Sequence, residues 1–407
     1  MAQAALPFEV QPTATHALPP SPIQAVARSS AADPLAFAIG WDHARHLLTP
    51  PLAHLHVASP VHQGWRAGRA AFARRTLPAT PQVRQWLQLR LDAWVSGRVF
   101  EEVQVTPHHL VQIATGHCPV TREALTSGTE SDSDLAVTPI NPRAAFAAGN
   151  IAMLSRVAES AKARLGWCEA MDRARALDEA RSSDERGSGP PEVGGLNAEQ
   201  WTRLGVLMSF VTPLPHATAA AIPLRVLPPN RLRVLNAVQA LQVMLTGQFT
   251  RAGYARRLVA LAVLMPSSEA RQAFQVFMHT LLARRLEVGH ALNDAAMRRA
   301  MEDAWADPLV NRRWQRLASR LTEAQCEQLL HRASQRGLAG GNTQWMSAEQ
   351  ATEGWALETG GRYADAPPAD AGHSAGDVLV PMPGKLRSLG SQKLANCDEL
   401  TATGAFQ

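Results

Sequence analysis

Residues able to act in acid–base or metal chemistry are concentrated between positions 117 and 159 of the 407-residue sequence. An imidazole and a thiol come first, at His117 and Cys118, and the carboxylates of Asp132 and Asp134 follow in the stretch SDSDLAV. A third carboxylate, Glu159, lies in RVAESAK, which we expect to be helical. Imidazoles and carboxylates serve as general acids and bases and also bind metal ions. This segment is therefore the first candidate for a catalytic site.

The order of features from His117 to Lys162 resembles the HNH-type ββα-metal endonucleases, especially bacterial and phage members that follow approximately CPxT…SxDRxxxxxGYxxGNxxxxSxxANxxK. The resemblance covers about 50 of the 407 residues, and Phe146 stands where the family has Tyr. The matching residues are Cys118, Pro119, Thr121, Gly149, Asn150, Ser155, Ala158 and Lys162.

The resemblance implies hydrolysis of a phosphodiester, in which a general base activates water and a divalent cation neutralises charge on the phosphate. A hairpin strand would deliver the base and one carboxylate, and the following helix would supply the remaining ligand. Gly149 and Asn150 would form the entry to that helix, and Lys162 would reach a phosphate two turns further along.

The reactive positions of the motif carry other residues here. The strand acid of the family falls on Thr138, its neighbouring His or Arg on Pro139, and its helix Asn or His on Glu159. Thr138 cannot act as a base near neutral pH, and Pro139 has no side-chain lone pair. Replacements could come from the preceding turn or from nearby imidazoles, namely Asp132, Asp134, His108, His109 and His117.

We therefore expect a nucleic-acid-interacting protein with a degenerate HNH-endonuclease-like module, catalytically impaired, whose partner is DNA. One alternative is an active metal-dependent endonuclease that uses Mg²⁺ or Mn²⁺. Its catalytic residues would be His117, Asp134 and Glu159, and its metal ligands Asp132, Asp134 and Glu159. The other alternative is a helical scaffold or protein-interaction factor without a nucleic-acid role, in which the matches arise by chance.

The charge balance agrees with a polyanionic partner. Lys and Arg total 40 against 35 Asp and Glu, a formal net charge of +5, and nearly all of the basic residues are Arg, which binds phosphates bidentately. A GC-rich genome would also replace Lys by Arg, so composition alone leaves both explanations open. The phosphate contacts expected first are Arg84, Arg90, Arg156 and Lys162.

Other site patterns are weaker or missing from the sequence. His43 and His46 are three residues apart and could share a helical face, a spacing that can hold a metal, but only Asp42 stands close enough to add a ligand. Isolated imidazoles are the expected reading. The sequence contains no GxxxxGK[ST] loop, strand-borne GxGxxG, GxSxG or HExxH motif, which removes the commonest enzyme classes.

We expect a cytoplasmic location. The four cysteines stand far apart without a CxxC pair, which argues against both a zinc motif and a secreted disulfide framework. The first residues lack a basic start followed by an apolar stretch, so no signal peptide is expected. No window reaches the ~18 apolar residues of a membrane helix.

The predicted fold is mainly α, with helical domains flanking a small ββα (HNH-like) module and with disordered termini. Val83, Trp86, Leu87, Leu91 and Trp94 show helical spacing. The segment from about residue 144 to 180 is also expected to be helical, with Ile151, Leu154 and Ala158 on one face. Asn197 with Gln200 forms a capping-box pattern, Asn230 after two prolines is expected to cap a helix, and Thr322 with Gln325 is expected to start another. The predicted divisions are a disordered N-terminus 1–35, a basic helical segment 36–112, the module and its helix 113–180, a linker 181–195, a helical domain 196–336 and a disordered acidic tail 337–407.

Overall fold

The computed structural model describes residues 32–183, 191–289, 293–339 and 344–363. Within these ranges the protein is mainly helical and carries a small two-stranded antiparallel sheet, which confirms the predicted fold class at that level. Most of the predicted segment 1–35, residues 184–190 of the linker and residues 364–407 of the tail lie outside the described residues. None of the described helices is long and apolar enough to cross a membrane.

The segment before the hairpin is helical, as predicted. Its helices are α1 (Ala32–Arg45), α2 (Pro60–Phe72), α3 (Pro81–Val95) and α4 (Pro107–Ile113), with a 3₁₀ turn at Leu52–His54. The predicted apolar stripe of α3 is buried at Val83, Leu87, Leu91 and Trp94.

Glycines allow α1 and α2 to pack backbone against backbone. A Cβ atom added at Gly40 would lie 1.9 Å from the carbonyl oxygen of Val61, and one added at Gly64 would lie 2.0 Å from that of Phe37. No side chain fits at either distance. The crossing of α1 and α2 therefore requires glycine at both positions, since glycine carries only hydrogen at its Cα atom.

The hairpin consists of β1 (Leu135–Pro139) and β2 (Ile151–Ser155), paired antiparallel with Leu135 opposite Ser155. Helix α5 (Arg156–Lys162) begins directly after β2 and contacts both strands, and α6 (Trp167–Ser183) follows it. The chain order is therefore strand, strand, helix.

The C-terminal part of the protein is a helical unit around a cluster of aromatic rings. Its rings include Phe277, Trp305 and Trp314, whose centroids lie 5.4 to 5.9 Å apart. The helices are α7 (Ala198–Phe210), α8 (His216–Ala221), α9 (Ala237–Gln248), α10 (Tyr254–Leu264), α11 (Ser268–Val288), α12 (Asp294–Asp303), α13 (Pro308–Ala318) and α14 (Glu323–Gln335), with a 3₁₀ turn at Ala304–Ala306.

Residues 344–363 are folded, so the prediction of disorder from residue 337 onward is wrong for this stretch. The strand β4 (Gln344–Trp345) pairs in parallel with β3 (Arg233–Val234), and α15 (Ala348–Trp355) and a 3₁₀ turn at Leu357–Thr359 follow. Trp355 is only 1% exposed. Burial of one large indole supplies the apolar contact that the surrounding Gly- and Ala-rich composition did not suggest.

Strand β2 separates two hydrophobic cores. Ile151 and Met153 face a core formed with the N-terminal helices, whereas Ala152 and Leu154 face the core of the C-terminal helices. All five residues of β2 are buried. Because successive side chains of a strand point to opposite faces, one five-residue strand serves both cores.

The burial of β2 on both faces explains a wrong prediction. The sequence suggested a helix from about residue 144, with Ile151, Leu154 and Ala158 on one face, but residues 151–155 are a strand and the helix starts at Arg156. A strand buried on both sides shows no alternation of apolar and polar residues, so its pattern resembles that of a buried helix.

The predicted linker does not separate two cores. The core of the C-terminal helices also contains Cys118, Leu154 and, from α6, Ala170 and Leu177, which all precede the linker. The predicted caps beyond it are confirmed where Asn197 pairs with Gln200 and where Thr322 pairs with Gln325. Asn230, expected to cap a helix, lies in a turn, and α9 begins after Asn236 instead.

Shortening a buried side chain of β2 should destabilise both hydrophobic cores together. We expect Met153→Ala and Leu154→Ala each to lower the free energy of unfolding by about 2 to 5 kcal/mol, because each leaves a cavity in a packed interior. Hydrogen exchange followed by mass spectrometry should show faster exchange in both α3 and α9 for either variant.

The matched control is Val259→Ala, since Val259 is 68% exposed. It should change the free energy of unfolding by no more than about 0.5 kcal/mol. Faster exchange confined to one side of β2 would show that the two cores unfold independently.

Candidate functional site

The loop 140–150 between the strands is held by the side chain of Asn150, which is fully buried. Its Oδ1 accepts a hydrogen bond from the backbone N–H of Asn141 at 2.8 Å, and its Nδ2 donates to the carbonyl oxygens of Asn141 and Ala145 at 3.2 and 2.9 Å. Buried backbone groups need such partners. Gly149 and Asn150 therefore end the loop directly before β2, and the prediction that they enter a helix is wrong.

Arg98 supports the same loop from the end of α3. Its guanidinium donates to the carbonyl oxygens of Ala144 and Asn141, and it stands 4.6 Å from the ring centroid of Phe146. Burial is the main reason that the pKa of Arg98 falls to about 10, and the nearby positive charges of Arg362 and Arg164 contribute to the fall. Arg98 is thus a structural cation of the loop.

The two strand positions expected to carry the reactive groups are buried. Thr138 is 5% exposed and pairs with Ala152, and Pro139 ends β1 opposite Ile151. Neither residue offers a base, and neither faces solvent.

Lys162 joins the helix to this end of the strand. Its Nζ donates to the carbonyl oxygen of Pro139 at 3.1 Å, and the residue is 2% exposed. Burial lowers the pKa of Lys162 from 10.5 to about 8, while Glu159 acts in the opposite direction. The ammonium is enclosed between α5 and β1, so the prediction that Lys162 contacts a phosphate is corrected.

The carboxylate of Asp134 organises the turn that precedes β1. It accepts hydrogen bonds from the hydroxyls of Thr126 and Thr129 and from the backbone N–H groups of Thr129 and Glu130, at 2.6 to 3.2 Å. Arg156 also donates to it at 3.2 Å. The hydrogen bond from the Thr129 hydroxyl is the main reason that the pKa of Asp134 falls to about 2. With both oxygens occupied, Asp134 acts as a structural anchor.

The predicted metal ligands do not converge. Among the residues that the structure describes, no group of three or more His, Cys, Asp or Glu side chains is placed to hold a metal ion. This finding covers both the ligand set Asp132, Asp134 and Glu159 and the catalytic set His117, Asp134 and Glu159. Asp132 and His117 are exposed, whereas Asp134 is held in the turn described above.

His43 and His46 bond to separate carbonyl groups. The Nδ1 atom of His43 lies 2.7 Å from the oxygen of Ile39, and that of His46 lies 3.1 Å from the oxygen of Pro78. Burial lowers the pKa of His43. Both are consistent with the expected isolated imidazoles.

The predicted phosphate contacts divide into two groups. Arg84 is exposed on α3, and the side chain of Arg156 is 48% exposed at the start of α5. Arg90 is buried, forms ion pairs with Asp42 and Glu102 at 2.6 and 2.8 Å and stacks on Trp86. Because the charge of Arg90 is already paired inside the protein, the prediction that Arg90 contacts a phosphate is wrong, as it is for Lys162. Both are structural residues.

Cys118 and Pro119 lie beside a cavity of about 190 Å³ whose rim includes His117. The thiol of Cys118 accepts a hydrogen bond from Ser155 Oγ at 3.3 Å, which ties the CP segment to the end of β2. In the same cavity Glu302 pairs with Arg122 at 3.2 Å and with Arg298 at 3.3 Å. Two arginines therefore neutralise Glu302, and Arg299 also lines the cavity.

A second cavity, of about 180 Å³, was not predicted. It lies beside Gly149 and brings His108 and His109 together with Arg231 and Arg233. More than 110 residues separate the histidines from the arginines in the sequence, and no local spacing relates them. The available signal was the occurrence of Arg231 and Arg233 shortly after Pro228 and Pro229, in a turn where the sequence predicted the start of a helix.

Comparisons of the chain with protein-family models, with curated proteins and with solved structures find no match.

The enclosure of Lys162 predicts a dependence of stability on pH. Between pH 8 and 10.5 the unfolded chain holds a proton that the folded chain has released, so the free energy of unfolding rises with pH. The difference between the wild type and Lys162→Met should therefore increase by about 3 kcal/mol over this range, as measured by denaturant unfolding at several pH values.

Arg164→Met provides the control, because Arg164 is exposed and lies only two residues after Lys162. Its difference from the wild type should stay constant. A constant difference for Lys162→Met as well would mean that the Lys162 ammonium reaches water in the folded protein.

Proposed function

We propose that the protein binds nucleic acid through an HNH-like ββα module that has lost metal-dependent hydrolysis. The observation that carries the proposal is the order of β1, β2 and α5, in which an antiparallel hairpin is followed directly by a helix that packs on both strands. A continuous helix over this segment would have contradicted the resemblance.

The chemistry at the reactive positions supports binding without hydrolysis. Activation of water at a phosphodiester needs a base and ligands for a divalent cation. Thr138 and Pro139 provide neither, and the described residues contain no cluster of His, Cys, Asp and Glu placed to hold a metal ion. The cation enclosed between α5 and β1 is the ammonium of Lys162, which donates to Pro139.

Charge on the surface of the module supports a phosphate partner. The guanidinium of Arg156, at the first residue of α5, is half-exposed, and Arg84 is exposed on the neighbouring α3. Arginines at such positions attract the nucleic-acid backbone independently of base sequence. The net charge of +5 acts in the same direction.

Binding should be electrostatic and insensitive to sequence. We expect Arg84→Gln and Arg156→Gln each to weaken binding of a labelled DNA duplex equally for unrelated sequences. Each should also reduce the slope of log affinity against log salt concentration by about 1, because one phosphate contact is lost. Fluorescence anisotropy at several salt concentrations measures both quantities.

The matched control is Arg332→Gln, which removes an exposed arginine of α14 without changing the module. Equal affinity and slope for all variants would favour the scaffold alternative. Nicking of a plasmid with Mg²⁺ or Mn²⁺ that is abolished by EDTA and by Glu159→Ala would replace the proposal with an active endonuclease.

A further inference from the structure

We propose that the cavity bordered by His108, His109, Arg231 and Arg233 is a binding site for a phosphate group. The cavity, of about 180 Å³, lies where α4, the end of the hairpin loop and the residues leading into β3 meet. None of the described residues that line it is acidic. Its other polar side chains are uncharged and belong to Gln104, Thr106 and Gln112.

The two arginines lack the ionic partners that other arginines of this protein have. Within the described part of the chain, neither guanidinium forms an ion pair with Asp or Glu. Arg233 donates only to neutral atoms, Gln104 Oε1 and Met346 Sδ, both at 3.3 Å. Two unpaired guanidinium groups at one cavity form a fork suited to the oxygens of a phosphate.

A buried imidazole at the same cavity lacks a hydrogen-bond partner. His109 is 8% exposed, and its Nε2 has no partner among the described residues. Burial lowers the pKa of His109, and the positive charges of Arg231, Arg233 and His108 lower it further. A bound anion would offset these charges and would offer an acceptor to the ring nitrogen. The carboxylate of Glu101 accepts from the N–H of Ala148 at 2.8 Å and does not line the cavity.

The backbone at Gly149 and at Arg231, which positions the two arginines, has positive φ angles that are unfavourable for most residues. Gly149 has φ +90°, and a Cβ atom there would lie 2.5 Å from both Cγ and Cδ of Arg233, so only glycine lets this side chain cross the loop. Arg231 has φ +64°, a left-handed conformation that side chains other than Gly, Asn and Asp rarely adopt. Strain at a residue that lines a cavity is a feature of ligand sites.

The size of the cavity limits what enters it. Pockets for complete small molecules usually begin at about 300 Å³. The cavity therefore admits a charged group while the rest of the ligand stays outside. The affinity for phosphate stands on the cavity alone, whereas the assignment of that phosphate to a nucleic acid rests on the proposed function.

Titration calorimetry of the full chain with inorganic phosphate, against chloride at matched ionic strength, tests the site. We expect saturable binding that the double variant Arg231→Gln, Arg233→Gln weakens at least about tenfold, since two charge-assisted contacts are lost. Arg332→Gln should bind as the wild type does. Absence of binding, or equal binding by the double variant, would overturn the proposal.

A single-stranded oligonucleotide with a 5′-phosphate, compared with its 5′-hydroxyl form, identifies the source of the group. Preference for the phosphorylated form indicates a terminal phosphate, and equal binding that is weakened in the double variant indicates an internal phosphodiester. Binding of inorganic phosphate without binding of either oligonucleotide would keep the site and overturn the assignment of its phosphate to nucleic acid, whereas the duplex measurements on the Arg84 and Arg156 variants test the proposed function separately. Oligonucleotide binding unchanged in the double variant would overturn the assignment of the phosphate to nucleic acid.

The strained backbone at Arg231 supplies an independent test. Arg231→Gly relieves the left-handed strain, so we expect it to shift the folding equilibrium toward the folded state by roughly two- to fivefold while it weakens phosphate binding. Arg231→Lys keeps both the strain and the charge, and it should leave the equilibrium unchanged and retain most of the binding. Denaturant unfolding and calorimetry on the same samples measure both effects, and unchanged phosphate binding by Arg231→Gly would overturn the role of Arg231.

Discussion

The burial of β2 on both faces is the constraint on which the rest of the structure depends. Ile151 and Met153 complete one core, and Ala152 and Leu154 complete the other, so neither core is closed without this strand. A strand in this position cannot leave polar backbone groups unpaired on either side. The pairing with β1, the internal hydrogen bonds of Asn150 and the anchoring of loop 140–150 by Arg98 all follow from that requirement.

The same constraint determines which charged residues are available to a ligand. Arg90, Arg98 and Lys162 lie against the hairpin or the cores, and each donates to carboxylates or carbonyl oxygens of the protein. Removing such a buried charge from water is costly unless it is paired, so the partners of these side chains lie inside the protein and little of their charge is available outside. Arg231 and Arg233 differ because they border a cavity and have no carboxylate partner among the described residues.

Local patterns in the sequence predicted local structure well. The stripe of α3 and the capping boxes at Asn197 and Thr322 depend on residues within one or two helical turns, and the structure confirms them. The boundary of β2 and the roles of Gly149 and Asn150 depend on burial from two sides, which no periodicity records. The cavity at Arg231 and His109 was missed for a related reason, because residues so far apart in sequence meet only through the packing of α4 against the hairpin loop.

In this protein the residues that maintain the strand–strand–helix arrangement are different from the residues at positions 138 and 139, where the resemblance places the reactive groups. Asn150 and Gly149 are required by the loop and by the contact with Arg233, whatever stands at the reactive positions. Thr138 and Pro139 need only extend a buried strand, a task that requires neither a carboxylate nor an imidazole. The ammonium of Lys162 then supplies a fixed positive charge between α5 and β1. In the proposed function this module presents Arg156 to a phosphate backbone, and Thr138 and Pro139 occupy the positions where the resemblance expects the groups that cleave that backbone.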